Sequence, residues 1–246
     1  MPKNNIGRTP TGNSRRRGQI ANEQTGDETL VDLVEVRDQA QGFVDRNRNL
    51  ILGIAFGLAA VVIGYALYKT LYQGPRSVTA AEEMVQAQIM FEQDSFQAAL
   101  SNPGAGQLGF LDIIDDYGST PTGNLANYYA AVSYLNLGEY EAALDFMKSF
   151  SAKTPTFATM KYGVMGDASG ELGDYNGAIG YYEDAVDAAD ENWTLAAYYQ
   201  NKLALLLRNQ GRNDEALEAF RELKEEYGQS TEAQQADLYI KLLGGK

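Results

Sequence analysis

The chain has no cysteine and no histidine in 246 residues, six prolines and a single tryptophan. Without cysteine there is no disulfide, no thiolate nucleophile and no sulfur-ligated metal. Without histidine there is no imidazole ligand and no triad that uses imidazole as its base. Any catalysis would fall to carboxylates, Lys, Tyr or Ser. A further scarcity is local: from Ser77 to Met147 no Lys or Arg occurs against ten acids, and over residues 77–246 ten basic residues face 26 acidic ones, a net charge of −16. Residues 1–48, with eight Lys or Arg and seven acids, are close to neutral. A surface as acidic as that of 77–246 repels phosphate backbones and anionic headgroups, so the expected partners are proteins and not nucleic acid.

Charge is absent altogether from the nineteen residues LILGIAFGLAAVVIGYALY, Leu50 to Tyr68, bounded by Arg46 and Arg48 before and Lys69 after. As a helix this run is about 28 Å long, close to the ~30 Å hydrocarbon core of a bilayer. It reads as one transmembrane helix over 49–69. A cleaved signal peptide does not fit, because the run starts some fifty residues in and YKTLYQG follows it without a small-x-small site. Arg15, Arg16 and Arg17 lie 32 residues before it, too far for a twin-arginine export signal. Arg37, Arg46 and Arg48 against Lys69 and Arg76 place the N-terminus in the cytoplasm and the acidic C-terminal part outside it, which in a bacterium means an inner-membrane protein with a periplasmic domain. Within the span, Gly53, Gly57, Ala60 and Gly64 form a small-residue face of the kind that lets membrane helices approach. Gly and Ala are also common in such helices without any partner, so both readings stand.

Before the span, residues 1–26 have almost no apolar content and are expected to be disordered. Residues 27–48 place Leu30, Leu33, Val34, Ala40 and Val44 at helical intervals among charges, an amphipathic cytoplasmic helix that either serves as a solvated stalk or docks a partner. Residues 70–78 read as a tether, and 79–246 as a separate domain.

That domain repeats itself. Gly138, Gly173 and Gly211 are each followed after five residues by alanine (Ala143, Ala178, Ala216), and after four more by Met147, Tyr182 or Phe220. Gly allows the tight link between antiparallel helices, Ala lets them approach, and the larger side chain fills the space to the next unit. A pattern of this period and composition resembles the tetratricopeptide repeat. Its positions are matched here by Tyr134, Gly138, Tyr140, Ala143, Met147 and Pro155; by Gly166, Gly173, Tyr175, Ala178, Tyr182 and Ala185; and by Ala204, Gly211, Ala216 and Phe220. Asn213 and Asp190 depart from it. FLDIIDDYGST from Phe110 echoes FRELKEEYGQST from Phe220, so both read as second helices. The expected array is therefore 79–120, with Thr79 to Leu100 as one first helix and SNPGAGQ as an insertion, then 124–157, 159–192, 197–230 and a capping helix at 231–243. Pro103, Pro121 and Pro155 are expected in connections. The fold class is all-α, one N-terminal transmembrane helix followed by a tetratricopeptide-repeat α-solenoid.

Chemistry is little in evidence. Asp112, Asp115 and Asp116, and again Glu183, Asp184 and Asp187, have spacings that a carboxylate pair for acid–base work would use, but exposed faces of an acidic helix produce the same spacing. DAADEN at 187–192 lacks the alternating acids and central Gly of a calcium loop. No phosphate-binding or dinucleotide fingerprint occurs, so no cofactor, metal or small-molecule substrate is expected, and the chain is read as a non-enzyme. By analogy with the groove-facing positions of the repeat family, the candidate partner-binding residues are Tyr128, Val132, Leu135, Asp167, Glu171, Asn201, Leu205 and Arg208. Tyrosines at such positions also serve as packing between repeats.

From about Asp27 onward the combination of amphipathic helix, the run NLILGIAFGLAAVVIGYALY, a short tether and an acidic repeat domain is similar to the YfgM-type family of ancillary Sec translocon subunits. That resemblance implies an adaptor associated with the translocation channel, SecYEG, and with a membrane-anchored periplasmic chaperone. A general cell-envelope scaffold, in outer-membrane assembly or cell-wall coordination, is the alternative. Protease shaving of intact spheroplasts tests the topology: the C-terminal domain is expected to be degraded, and its protection would reverse the orientation.

Overall fold

The computed structural model describes residues 24–244, with the backbone alone over 24–40 and at Gly42. The expected disordered tail lies outside the described residues up to residue 23, as do the side chains of Leu30, Leu33, Val34 and Ala40 on the expected amphipathic face. The chain divides into two units, the first ending at Ala66 and the second beginning at Leu67. The first unit consists, in its described part, of helix α1 (Gln24–Tyr68) up to Ala66. Among the described residues one helix is long and apolar enough to cross a membrane, and no part of its apolar window is buried in the protein.

Every regular element described in the second unit is also helical: a π-helical turn (Lys69–Gln73), α2 (Gly74–Glu92), α3 (Phe96–Ser101), α4 (Phe110–Tyr117), α5 (Pro121–Leu137), α6 (Tyr140–Ser149), α7 (Pro155–Glu171), α8 (Tyr175–Ala188), α9 (Trp193–Asn209), α10 (Asn213–Glu226) and α11 (Thr231–Leu242). Side chains that cap the first turns fix where several of these begin. Thr120 accepts a hydrogen bond from Gly123 N–H, Thr154 from Phe157, Asp174 from Gly177, Asn192 from Leu195 and Ser230 from Ala233, each satisfying a donor the helix cannot. Pro121 and Pro155, expected in connections, are instead the first residues of α5 and α7, where a missing N–H costs nothing.

The hairpin turns share one geometry. Gly138, Gly173 and Gly211 have φ of 79°, 81° and 73°. At each, the glycine N–H bonds the carbonyl three residues back and the next N–H bonds five residues back: Leu135 and Tyr134, Gly170 and Ser169, Arg208 and Leu207. These paired bonds close off the helix carbonyls and reverse the chain. The same pair, Asp94 N–H to Phe91 and Ser95 N–H to Met90, recurs with Asp94 at φ 55°.

This fourth turn corrects the expected first helix Thr79 to Leu100, which breaks after Glu92 into α2 and α3. DSFQAAL from Asp94 is thus the counterpart of GEYEAAL from Gly138, with Asp in place of Gly. Phe110 follows Asp94 by sixteen residues, whereas Met147, Tyr182 and Phe220 follow their glycines by nine. The second helix of this hairpin is therefore split, its extra length looped out at 102–109 before α4 resumes at Phe110, which is fully buried. Gly109 N–H and the Asp112 carboxylate join at 3.0 Å to restart it.

The expected tether at 70–78 is corrected as well, because it is helical and fastened. Arg76 donates to the carbonyl of Asp116 at 2.5 Å and lies 5.3 Å from the centroid of the Tyr117 ring, Ser77 and Thr122 share a hydrogen bond of 2.9 Å, and Gln73 donates to Ser119. α2 thus starts at Gly74, ahead of Thr79.

Antiparallel neighbours bury three successive clusters: one centred on Phe110 and Ile113, one on Met147 and Phe150, and one on Phe220 and Leu223. Ala143, Ala178 and Ala216 are wholly buried between paired helices. α11 packs on α10, with Tyr239 stacked on Phe220 at 4.8 Å and Lys224 paired with Asp237 at 2.5 Å. Where α7 meets its neighbours it has no side chain at two points. A β-carbon on Gly163 would overlap the buried Tyr199 ring, and one on Gly166 would lie 2.6 Å from the Tyr182 ring. Gly163→Ala gains about 1 kcal/mol of helix propensity but overpacks at a cost of about 1–3 kcal/mol or more. A net loss in thermal denaturation is expected. Gly180→Ala, which meets no atom within 4 Å, should gain stability in the same assay.

Candidate functional site

The hairpins α5–α6 and α7–α8, together with α9, line an open groove of about 460 Å³. Its lining comes from three sets of residues: Leu135 and Tyr140 from α5–α6, Asp167, Gly170, Glu171, Tyr175 and Tyr182 from α7–α8, and Lys202 and Leu206 from α9. Helical spacing explains the set. Asp167 and Glu171, like Lys202 and Leu206, are four apart and share a helix face, while Tyr140 and Tyr175 each stand two residues beyond a left-handed glycine.

Within the groove lining Asp167 gathers two donors on one oxygen. Tyr182 Oη and Lys202 Nζ each lie 2.6 Å from Asp167 Oδ1. The ion pair is partly buried, each side chain 28% exposed, and Lys202 Nζ also sits over the rings of Tyr182 and Tyr198 at 5.7 and 5.3 Å. Burial, then the hydrogen bond to the Asp167 carboxylate, pushes the Tyr182 phenol far up, so it stays neutral and donates. Elsewhere in the lining, Tyr140 Oη donates to Glu171 Oε2 at 3.4 Å. Burial, then the charge of Glu171, raises the Tyr140 phenol.

Of the eight residues singled out from the sequence, the structure brings Leu135, Asp167 and Glu171 into this groove. The other five lie elsewhere. Tyr128 sits in an aromatic cluster, its ring 5.5 Å from Phe150 and 6.1 Å from Phe157. Val132 packs against the cluster of Met147 and Phe150, and Leu205 against that of Phe220 and Leu223. Asn201 is half-buried outside the groove lining. Arg208 lies over the Tyr239 ring at 4.8 Å, holding the capping helix. On α9 the groove face is thus carried by Lys202 and Leu206, one residue beyond Asn201 and Leu205, and one residue turns a helix by about 100°. The buried set on α9, with Tyr199, Leu203 and Leu207, fixes that rotation. Tyr140 and Tyr175 were visible in the repeat alignment as the aromatic after Gly.

The acids considered for chemistry have other surroundings. Asp112, Asp115, Asp116, Glu183, Asp184 and Asp187 are exposed, and Asp112 caps α4. In DAADEN, Asp190 turns the chain at φ 52° and Asn192 caps α9. In the first unit, a β-carbon on Gly53, Gly57 or Gly64 would meet nothing within 4 Å, and Ala60 is exposed, so the small face is open.

Tetratricopeptide-repeat family models match residues 125–156 and 164–231. The first match spans the α5–α6 hairpin and the second runs from within α7 to the start of α11. No curated protein matches the chain. The regular elements of the described residues are thus all helical, a long apolar helix toward the N-terminus with tetratricopeptide repeats after it, and such repeats are modules for contacts with other proteins.

Tyr128 offers a direct reading of repeat integrity, because burial pushes its phenol up to about 12 from 10.0. A folded-state value above the unfolded one means that this stabilisation is complete below pH 10 and is lost as pH rises toward 12. About 2–3 kcal/mol follows from such a shift. Helical circular dichroism is expected to fall across that window, and Tyr128→Phe should make the fall shallower.

Proposed function

We propose that the protein is a membrane-anchored adaptor for protein–protein contacts, an accessory subunit of the Sec translocon that links the channel to periplasmic chaperones. The observation that carries the reading is the presence in one chain of an exposed apolar helix able to cross a membrane and a tetratricopeptide-repeat domain with an open groove. In this reading α1 crosses the bacterial inner membrane with its N-terminus in the cytoplasm, and the repeat domain stands in the periplasm. The likeness of the chain from about Asp27 onward to ancillary translocon subunits supports the choice of partners, SecYEG and a membrane-anchored chaperone. The open face of Gly53, Gly57, Ala60 and Gly64 is the surface we assign to a channel helix, since small residues allow close approach in lipid. The groove and the acidic surface of residues 77–246 are assigned to soluble partners.

Crosslinking in cells, followed by solubilisation in mild detergent and mass spectrometry of what co-purifies with the full-length protein, tests this. Channel subunits and a periplasmic chaperone are expected. Recovery of outer-membrane assembly or cell-wall proteins in their place would overturn the translocon assignment in favour of a general envelope scaffold. Replacing residues 50–68 with an unrelated span should release the channel subunits if α1 makes that contact.

A further inference from the structure

The groove has a composition that selects among protein partners. Its lining includes Gly170, which contributes no side chain, and the apolar Leu135 and Leu206. The two hairpins that line it repeat one arrangement: an apolar residue before the left-handed glycine and, two residues after it, a tyrosine of the groove lining. Leu137 and Tyr140 form the first pair, Leu172 and Tyr175 the second, and of these Leu137, Leu172 and Tyr175 are exposed by 37–42%. The next hairpin has Gln210 and Asn213 at these places, so the strip ends after two steps. There Arg212 is held by Glu215 and reaches Asn176.

Arg212 and Lys202 are each engaged by a carboxylate, and the other charges named around the strip are acidic. Glu171 stands in the groove and is exposed, and its hydrogen bond from Tyr140 is a long one. Glu139 and Asp174 flank the two glycines. Lys202, the one cation in the groove lining, is engaged by Asp167 at 2.6 Å and by two tyrosine rings. On the α5 side the domain extends to Ser77 without a Lys or Arg. An anionic ligand would meet this field unfavourably and would have to take Lys202 from Asp167, leaving a partly buried carboxylate with one fewer donor. A cationic ligand gains from the same field at no such cost.

We propose that the groove takes a cationic segment of a partner protein, seating an aliphatic or aromatic side chain over Gly170 between Leu135 and Leu206, with a Lys or Arg on the carboxylate of Glu171. The proposal rests on the adaptor reading and names the chemistry of what that adaptor holds. Apolar contact supplies the anchor, and charge supplies selectivity and speed of encounter. Tyr140 and Tyr175 border the seat with rings that also accept a cation over their faces.

The test uses the full-length protein in nanodiscs of zwitterionic lipid and a fluorescein-labelled probe, Gly-Lys-Phe-Lys-Leu-Lys-Gly, with counterparts in which every Lys is replaced by Glu or by Gln. Anisotropy is expected to show binding in the order Lys, Gln, Glu, weakening with added salt. Glu171→Gln and Tyr175→Ala should each weaken the Lys probe about tenfold while helicity is unchanged. Glu171→Lys should weaken it further and improve the Glu probe. Equal or better binding of the Glu probe, or indifference to all three substitutions, would overturn the proposal. The same variants are carried through the crosslinking experiment. If a soluble partner still co-purifies with Glu171→Lys, the groove assignment falls and the adaptor reading stands. If the Lys probe binds as described but no channel or chaperone is ever recovered, the translocon assignment falls and the groove chemistry stands.

Discussion

Each hairpin of the repeat domain turns on one residue held with φ between 55° and 81°, and on the two backbone hydrogen bonds that this conformation permits. An ordinary residue loses on the order of 1 kcal/mol there, which is why three of the four positions are glycine. Once the turn is set, the two helices must lie antiparallel, and the register of everything after it follows. The alanine five residues on faces the preceding helix, and the larger side chain four further enters the next interface. The three core clusters, the groove and the cap are consequences of one local geometry repeated along the chain.

Much of this was legible because it is local. Gly138, Gly173 and Gly211 stand at fixed distances from Ala143, Ala178 and Ala216, and a glycine followed by that spacing has few other physical explanations. The first hairpin was harder to see for the same reason. Asp94 reaches the left-handed region without being glycine, as Asp and Asn do more readily than other residues. The loop at 102–109 then separates its second helix from the pattern. The region between the apolar run and Thr79 looked like a linker because its hydrogen bonds are made to residues some forty positions away, Asp116, Ser119 and Thr122. No window of sequence contains both partners.

The groove shows a similar division. Its α7 face, Asp167 and Glu171, follows from helical period. Its α9 face depends on how far that helix is rotated, and this is fixed by which residues the neighbouring α8, α10 and α11 bury. Gln200 illustrates the point: a polar residue is turned inward because its amide finds the Ala219 carbonyl at 3.2 Å and the Glu222 carboxylate at 3.0 Å. Positions carried over by analogy with the repeat family take no account of such a buried polar residue, and a shift of one residue exchanges Lys202 for Asn201. The same dependence explains Arg208, whose partner ring, Tyr239, belongs to the capping helix.

The contact between Gly163 and Tyr199 ties two distant positions in the chain to a single choice. The ring occupies the space a side chain at 163 would need, so neither site can change in size alone. Among related sequences the two are expected to vary as a pair, a larger residue at the first accompanied by a smaller one at the second. Their joint history would record how tightly the α7–α8 and α9–α10 hairpins have been pressed together, and hence how the curvature of the stack has drifted.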